Sequence, residues 1–279
     1  MRLRLLLAYD GSRYSGWQIQ EAAKAPLTIQ GEGEKALGRL CACPVRLFGS
    51  GRTDAGVHAH GQVAHADVPD SRAGLPWRHA LNCLLPPDIR VLAAEAAHPR
   101  FHARLDALHK TYVYDFWQDR AFVPPRLAPY VWACGPLALP PMREALHHLL
   151  GEHDFASLQN AGTPVEGTVR RILDAELTEC PAEEFLPPHL PRLRLRITAN
   201  GFLKQMVRNI AGLLVACGTG RLAPEAIPGL LAAGDRQALP TPTAPPQGLA
   251  LARVVYPEAP PVQNASGSSE APEASFTAD

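Results

Sequence analysis

Alternation is the feature that most constrains this chain. Leu3, Leu5 and Leu7 alternate with Arg2, Arg4 and Leu6, and a period of two returns at 110–117 and at 192–198. Side chains two apart on an extended backbone share a face, so these runs predict strands with one side on a core. Helical spacing falls between them. Thr28 is a suitable N-cap for a helix whose face carries Ile29, Ala36, Leu37 and Leu40, and Pro76 opens a short helix that Pro86 and Pro87 stop. The run 44–48 alternates with Val45 and either Leu47 or Phe48 inward, 62–67 supplies a return strand, and 88–97 reads as another. Strand, helix, strand, strand, helix, strand is a sheet with helices layered on one face.

From Leu108 the order begins again. Tyr112, Tyr114 and Phe116 share one face of the run 110–117, a helix is expected at 141–150, and strands at 168–179 and 192–198. Apolar residues at 203, 206, 207, 210, 213, 214 and 217 predict a helix over 202–217 with a buried stripe, on which Lys204 and Arg208, four apart, would form a basic ridge. Pro228 predicts a kink or break within 224–233, and 249–255 is a last strand. The fold class expected is α/β (α+β): two related domains, 1–105 and 106–257, each a mainly antiparallel or mixed sheet with helices on one face and an active-site cleft between them. The segment 258–279, rich in Pro, Ala, Ser and Glu, reads as a disordered acidic tail.

That tail hides a charge bias. The 279 residues have a formal net charge of zero, but residues 258–279 hold four acids and no base, leaving +4 on residues 1–257. The bases are 23 Arg and 4 Lys. Arginine's planar fork suits phosphate, so this body fits a nucleic acid, although a genome rich in Arg, Ala and Pro would give the same composition. Six cysteines without a Cys-x-x-Cys pair point to buried reduced thiols rather than disulfides or zinc. The N-terminal apolar run is too short for a signal sequence and nothing approaches a membrane-spanning length, so a cytoplasmic protein is expected.

The chemistry concentrates in 49–59. Glycines at 49, 51 and 56 flank Arg52 and Asp54, and glycine permits positive φ and close approach of a ligand. A carboxylate and a guanidinium in such a turn are either on display at the end of a sheet or, for Asp54, capping the turn. His58 and His60, with His65 and Asp67 nearby, have strand spacing for metal ligation, but an isolated His-x-His needs convergent ligands from other segments, and no metal is expected. Phosphate-binding glycine loops and the Gly-x-Ser-x-Gly elbow are missing, so no nucleotide cofactor or serine hydrolase is indicated. An aspartate near an arginine can serve as nucleophile or base, and a tyrosine stripe is either core or a platform for a splayed-out base.

Five groups of segments carry a resemblance. Tyr9-Asp10-Gly11-Ser12 with Gly16-Trp17-Gln18, 51–59 with Gly61-Gln62-Val63, Phe101-His102-Ala103-Arg104, Met206-Val207-Arg208-Asn209-Ile210, and Thr243-Ala244-Pro245 with Gly248-Leu249 are together similar to the TruA family of tRNA pseudouridine synthases, in family order and across residues 1–257. The resemblance implies an isomerase that converts uridine to pseudouridine at positions 38, 39 and 40 of the tRNA anticodon stem-loop, as a homodimer, without cofactor or metal. It makes Asp54 the catalytic aspartate, attacking either the uracil ring or the ribose C1′. Tyr112 would stack on the target base, Arg208 would pair with the aspartate, Arg52 would occupy the space of the flipped nucleotide, and Leu249 would line the pocket. Ala250 stands where the family usually has a tyrosine. A non-catalytic RNA-binding or tRNA-folding protein is the alternative.

Overall fold

The structure is a computed structural model that describes residues 1–20, 26–160, 162, 167–180 and 192–257. The acidic segment 258–279 lies outside the described residues.

Strand β1 (Arg2–Tyr9) follows the alternation, with Leu3, Leu5, Leu7 and Tyr9 buried. Helix α1 (Ile29–Cys41) starts at Thr28, whose side chain accepts from the Gly31 N–H, and ends where Ala42 takes a left-handed conformation. Strand β2 (Leu47–Gly49) pairs antiparallel with β3 (His58–Asp67). Val45 and Leu47 point inward and Phe48 is exposed. Helix α2 (Trp77–Leu84) and β4 (Ile89–Ala97) complete the first half.

The second half runs β5 (His109–Trp117), β6 (Trp132–Ala133), α3 (Leu139–His147), β7 (Gly151–Asp154), β8 (Val169–Cys180), β9 (Arg192–Ala199), α4 (Met206–Gly218), α5 (Ile227–Ala232) and β10 (Leu249–Val255). Pro228 falls in the first turn of α5, directly after a 3-10 turn at Pro224–Ala226, so the expected break lies at the helix start, where a missing N–H costs nothing. The short strands β6 and β7 carry no alternation long enough to announce themselves.

All ten strands form one mixed sheet, ordered β4-β1-β3-β10-β5-β9-β8-β7, with β2 on β3 and β6 on β5. The last strand is the seam. It pairs in parallel with β3 through Ala250 opposite His58, and antiparallel with β5 through Leu249 opposite Tyr114 and Leu251 opposite Tyr112. Apolar residues from Leu3 to Val254, on the helices and the sheet face beneath them, make one continuous cluster across both halves. The sheet and its core are therefore shared.

Two expectations change. Helix α4 begins at Met206, because Gln205 sits at φ 61° in the left-handed region, so Lys204 precedes the helix and does not share a ridge with Arg208. Apart from Arg208, α4 is buried on every side, not along one stripe. The cysteines are all free thiols, but only Cys41, Cys134 and Cys217 are buried; Cys43 and Cys83 are exposed.

Candidate active site

The turn after β2 is held by β3 and β1. Ser50 donates its N–H to Val63 O at 2.8 Å and its hydroxyl to Gln62 at 2.6 Å, while the Gln62 amide returns to Gly51 O at 2.9 Å. Thr53 is buried and its hydroxyl bonds Tyr9 Oη at 2.8 Å, a partnership between β1 and the turn. Pinning the middle residue leaves its neighbours outward: Arg52 is exposed and Asp54 keeps 32% of its side chain accessible.

The N-terminal segment that resembles the family clasps this turn. Trp17 N–H donates to Thr53 O at 3.0 Å, and Gly56 N–H to Tyr14 O at 3.3 Å. Gly16, at φ 95°, has no room for a side chain, since a Cβ would lie 2.6 Å from Thr53 O; at Gly11 it would lie 2.0 Å from Val57 O. Those glycines serve the turn from forty residues away.

Across from it stands α4. Arg208 donates from Nη1 to Asp54 Oδ2 at 2.9 Å and from Nε to Ala244 O at 2.7 Å, and only 12% of its side chain is accessible. A guanidinium fixed by two acceptors in a partly dry site is a directed charge rather than a solvated one. The acceptor at Ala244 belongs to a strap, 241–245, that a polar network ties to α4. Asn209 donates to Leu158 O and Asn160, Thr243 donates to Asn209, and Arg236 reaches Asn160 at 2.9 Å and Thr243 at 3.2 Å. Sequence reasoning missed Asn160 and Arg236, which lie in segments without periodicity. Asn209 and Thr243 stood inside the matching segments but drew no role, because their partners are 34 residues apart.

Tyr112, on β5, is buried to 8% and packs edge-on to Phe202 with ring centroids 5.1 Å apart. Burial raises its phenol above the ordinary value, and the charges of Tyr9 and Asp54 add to this, so it stays protonated at neutral pH. Leu249, buried, opens β10 opposite Tyr114, whose hydroxyl donates to Pro245 O at 2.8 Å. The fold thus brings Asp54 and Arg208 into contact and sets Tyr112 within electrostatic reach of Asp54. Arg52 is exposed on the turn, and Leu249 follows the strap after a 3-10 turn at Pro246–Gly248.

His58 and His65 are committed elsewhere, and His60 is exposed. His58 Nδ1 accepts from the Gly11 N–H at 3.1 Å and its Nε2 faces Pro129 O at 3.0 Å, while burial holds the ring's pKa down against the pull of Asp10. His65 Nδ1 accepts from the Ala103 N–H at 3.1 Å, and Asp67 is paired with Arg2 at 2.7 Å. No metal is needed to explain any of them.

At the junction of the two half-sheets, a carboxylate presented by a glycine-bounded turn thus meets one arginine, and comparison with known proteins places the chain in a class. Residues 145–257 match the family model described as tRNA pseudouridine synthase. The chain is 49% identical over 276 residues to the tRNA pseudouridine synthase A of Nitratidesulfovibrio vulgaris (strain DSM 19637 / Miyazaki F), covering 91% of this chain and 99% of that one. It is 42% identical to the enzyme of the same name from Bacillus velezensis, covering 92% and 99%. This chain belongs to the tRNA pseudouridine synthase A family.

Proposed function

We propose that this chain isomerises uridine to pseudouridine at positions 38, 39 and 40 in the anticodon stem-loop of tRNA, with Asp54 as catalytic nucleophile or base. The observation that carries this reading is the Arg208 to Asp54 pair at 2.9 Å beside Tyr112, assembled from segments 154 residues apart in a member of this family. The reaction breaks the bond from N1 to C1′, turns the uracil and joins C5 to C1′; C5 loses its proton to solvent and N1 takes one up. Every heavy atom of the product comes from uridine and no oxidation state changes overall, so the reading calls for no cofactor or metal.

A base within a stem must leave its stack before its glycosidic bond can be reached. Arg52, exposed on the turn, fills the vacated space; Tyr112 stacks on the extruded base, and Leu249 closes the apolar side. Arg208 orients the Asp54 carboxylate, and a site poor in water keeps the detached uracil from being lost before it rejoins. The protein works in the cytoplasm as a homodimer, with catalytic and completing domains at 1–105 and 106–257.

The test is release of tritium from C5 of uridine-labelled tRNA together with mapping of pseudouridine in the product. Asp54→Ala is expected to release none while still binding tRNA. Full release by that variant would overturn the assignment, and tRNA binding without product in the unaltered protein would favour a non-catalytic RNA-binding role.

A further inference from the structure

The neck of the Asp54 turn, Ser50 and Gly51, is bonded to Val63 and Gln62 of the adjacent strand β3 and also to a side chain from further across the sheet. Lys110 is on β5, which is separated from β3 by β10, about 10 Å of sheet at the usual strand spacing. Its chain reaches back across that gap and its Nζ donates to Ser50 O at 2.7 Å, near Gly51. Among the described residues it is the only β5 side chain bonded to the turn. Two residues further along the same strand is Tyr112.

This ammonium is not an ordinary structural choice. Burial comes first and the like charge of Arg104 second in pulling its pKa down to about 8, and no carboxylate among the described residues offsets either. The groups around it are uncharged or cationic: Ser50 and Gly51 of the turn, Val254 opposite on β10, Ala199 opposite on β9, and Arg104 from the segment before β5. A methionine would fill similar space without the desolvation penalty.

We propose that Lys110 is a positioning residue for the reaction, clamping the turn that carries Arg52 and Asp54 to the strand that carries Tyr112, so that the catalytic carboxylate and the base-stacking ring keep one mutual geometry. The inference rests on the reading of Asp54 as the catalyst. A charged donor holds a carbonyl more firmly than a neutral amine, so the clamp weakens as Lys110 loses its proton.

The experiment compares the unaltered protein, Lys110→Arg and Lys110→Met by C5 tritium release between pH 7 and pH 9, with thermal unfolding of each. Lys110→Met is expected to lower kcat about tenfold, with KM within about twofold and little change in Tm, because geometry and not binding is lost. Lys110→Arg is expected to keep kcat at pH 7 and, unlike the unaltered protein, to hold it: the ratio between the two should widen about fivefold by pH 9. Superimposable pH profiles would overturn the proposal, as would a Lys110→Met variant whose loss is wholly in KM with a shallower salt dependence, the signature of a phosphate contact. Asp54→Ala in the same assay separates the two ideas. Its inactivity upholds the reaction assigned to the turn whatever Lys110 does, and its activity removes that assignment independently of the Lys110 profile.

Discussion

Arg208 illustrates how much one side chain's value depends on its two acceptors. Its Nε is held by Ala244 O and its Nη1 meets Asp54, so the fork is oriented before any substrate arrives. Lysine at this position cannot hold both. Arg208→Lys and Arg208→Met are both expected to lower kcat about a hundredfold or more with little change in KM, measured by C5 tritium release. Equal losses in kcat and in tRNA affinity would make Arg208 a phosphate contact instead. Gly16 offers a second test at this scale. A methyl there would press on Thr53 O at 2.6 Å from a positive φ, so Gly16→Ala is expected to cost about 1 to 3 kcal/mol in urea unfolding and to impair turnover through the displaced turn.

Among the elements, β3 joins the site to the rest of the sheet and also carries an acid-sensitive point. His65 is 2% exposed, its Nδ1 must stay unprotonated to accept from Ala103 N–H, and burial pulls its pKa down to about 4. The unfolded chain takes up this proton below about 6.5 and the folded chain does not, so stability falls as pH drops from about 6.5 towards 4. Urea unfolding at pH 7 and pH 5 is expected to show that loss, and His65→Gln to reduce it. The other elements were legible to different degrees. β1, α1, α2, β4, β8, β9 and β10 follow from alternation, capping and proline stops, because each needs only local chemistry. The start of α4 did not, since a left-handed Gln205 is set by packing of the preceding loop and not by its own propensity.

For the whole molecule, the decisive element is the last one. β10 hydrogen-bonds both halves of the sheet, and a single core runs beneath them. A single cooperative unfolding transition by calorimetry is expected, and a chain ending at Gly248 should lose both that cooperativity and activity. Two resolved transitions would show that the halves 1–105 and 106–257 unfold independently in spite of the shared sheet.

The sequence by itself determined most of the elements, the side of each long strand that is buried, and the turn on which Asp54 sits, because periodicity, caps and glycines act over a few residues. It also carried the family, through short segments whose order survives along the chain. The local pattern alone left open whether Asp54 merely capped its own turn, and the resemblance far along the chain spoke for a catalytic role. What only the tertiary structure decided is the partner of Asp54: it brings Arg208 from 154 residues away to 2.9 Å and reserves Thr53, and not Asp54, for the internal anchor to Tyr9. The physical reason is range: capping is a local hydrogen bond, whereas an ion pair across a sheet junction exists only once the two halves share a core.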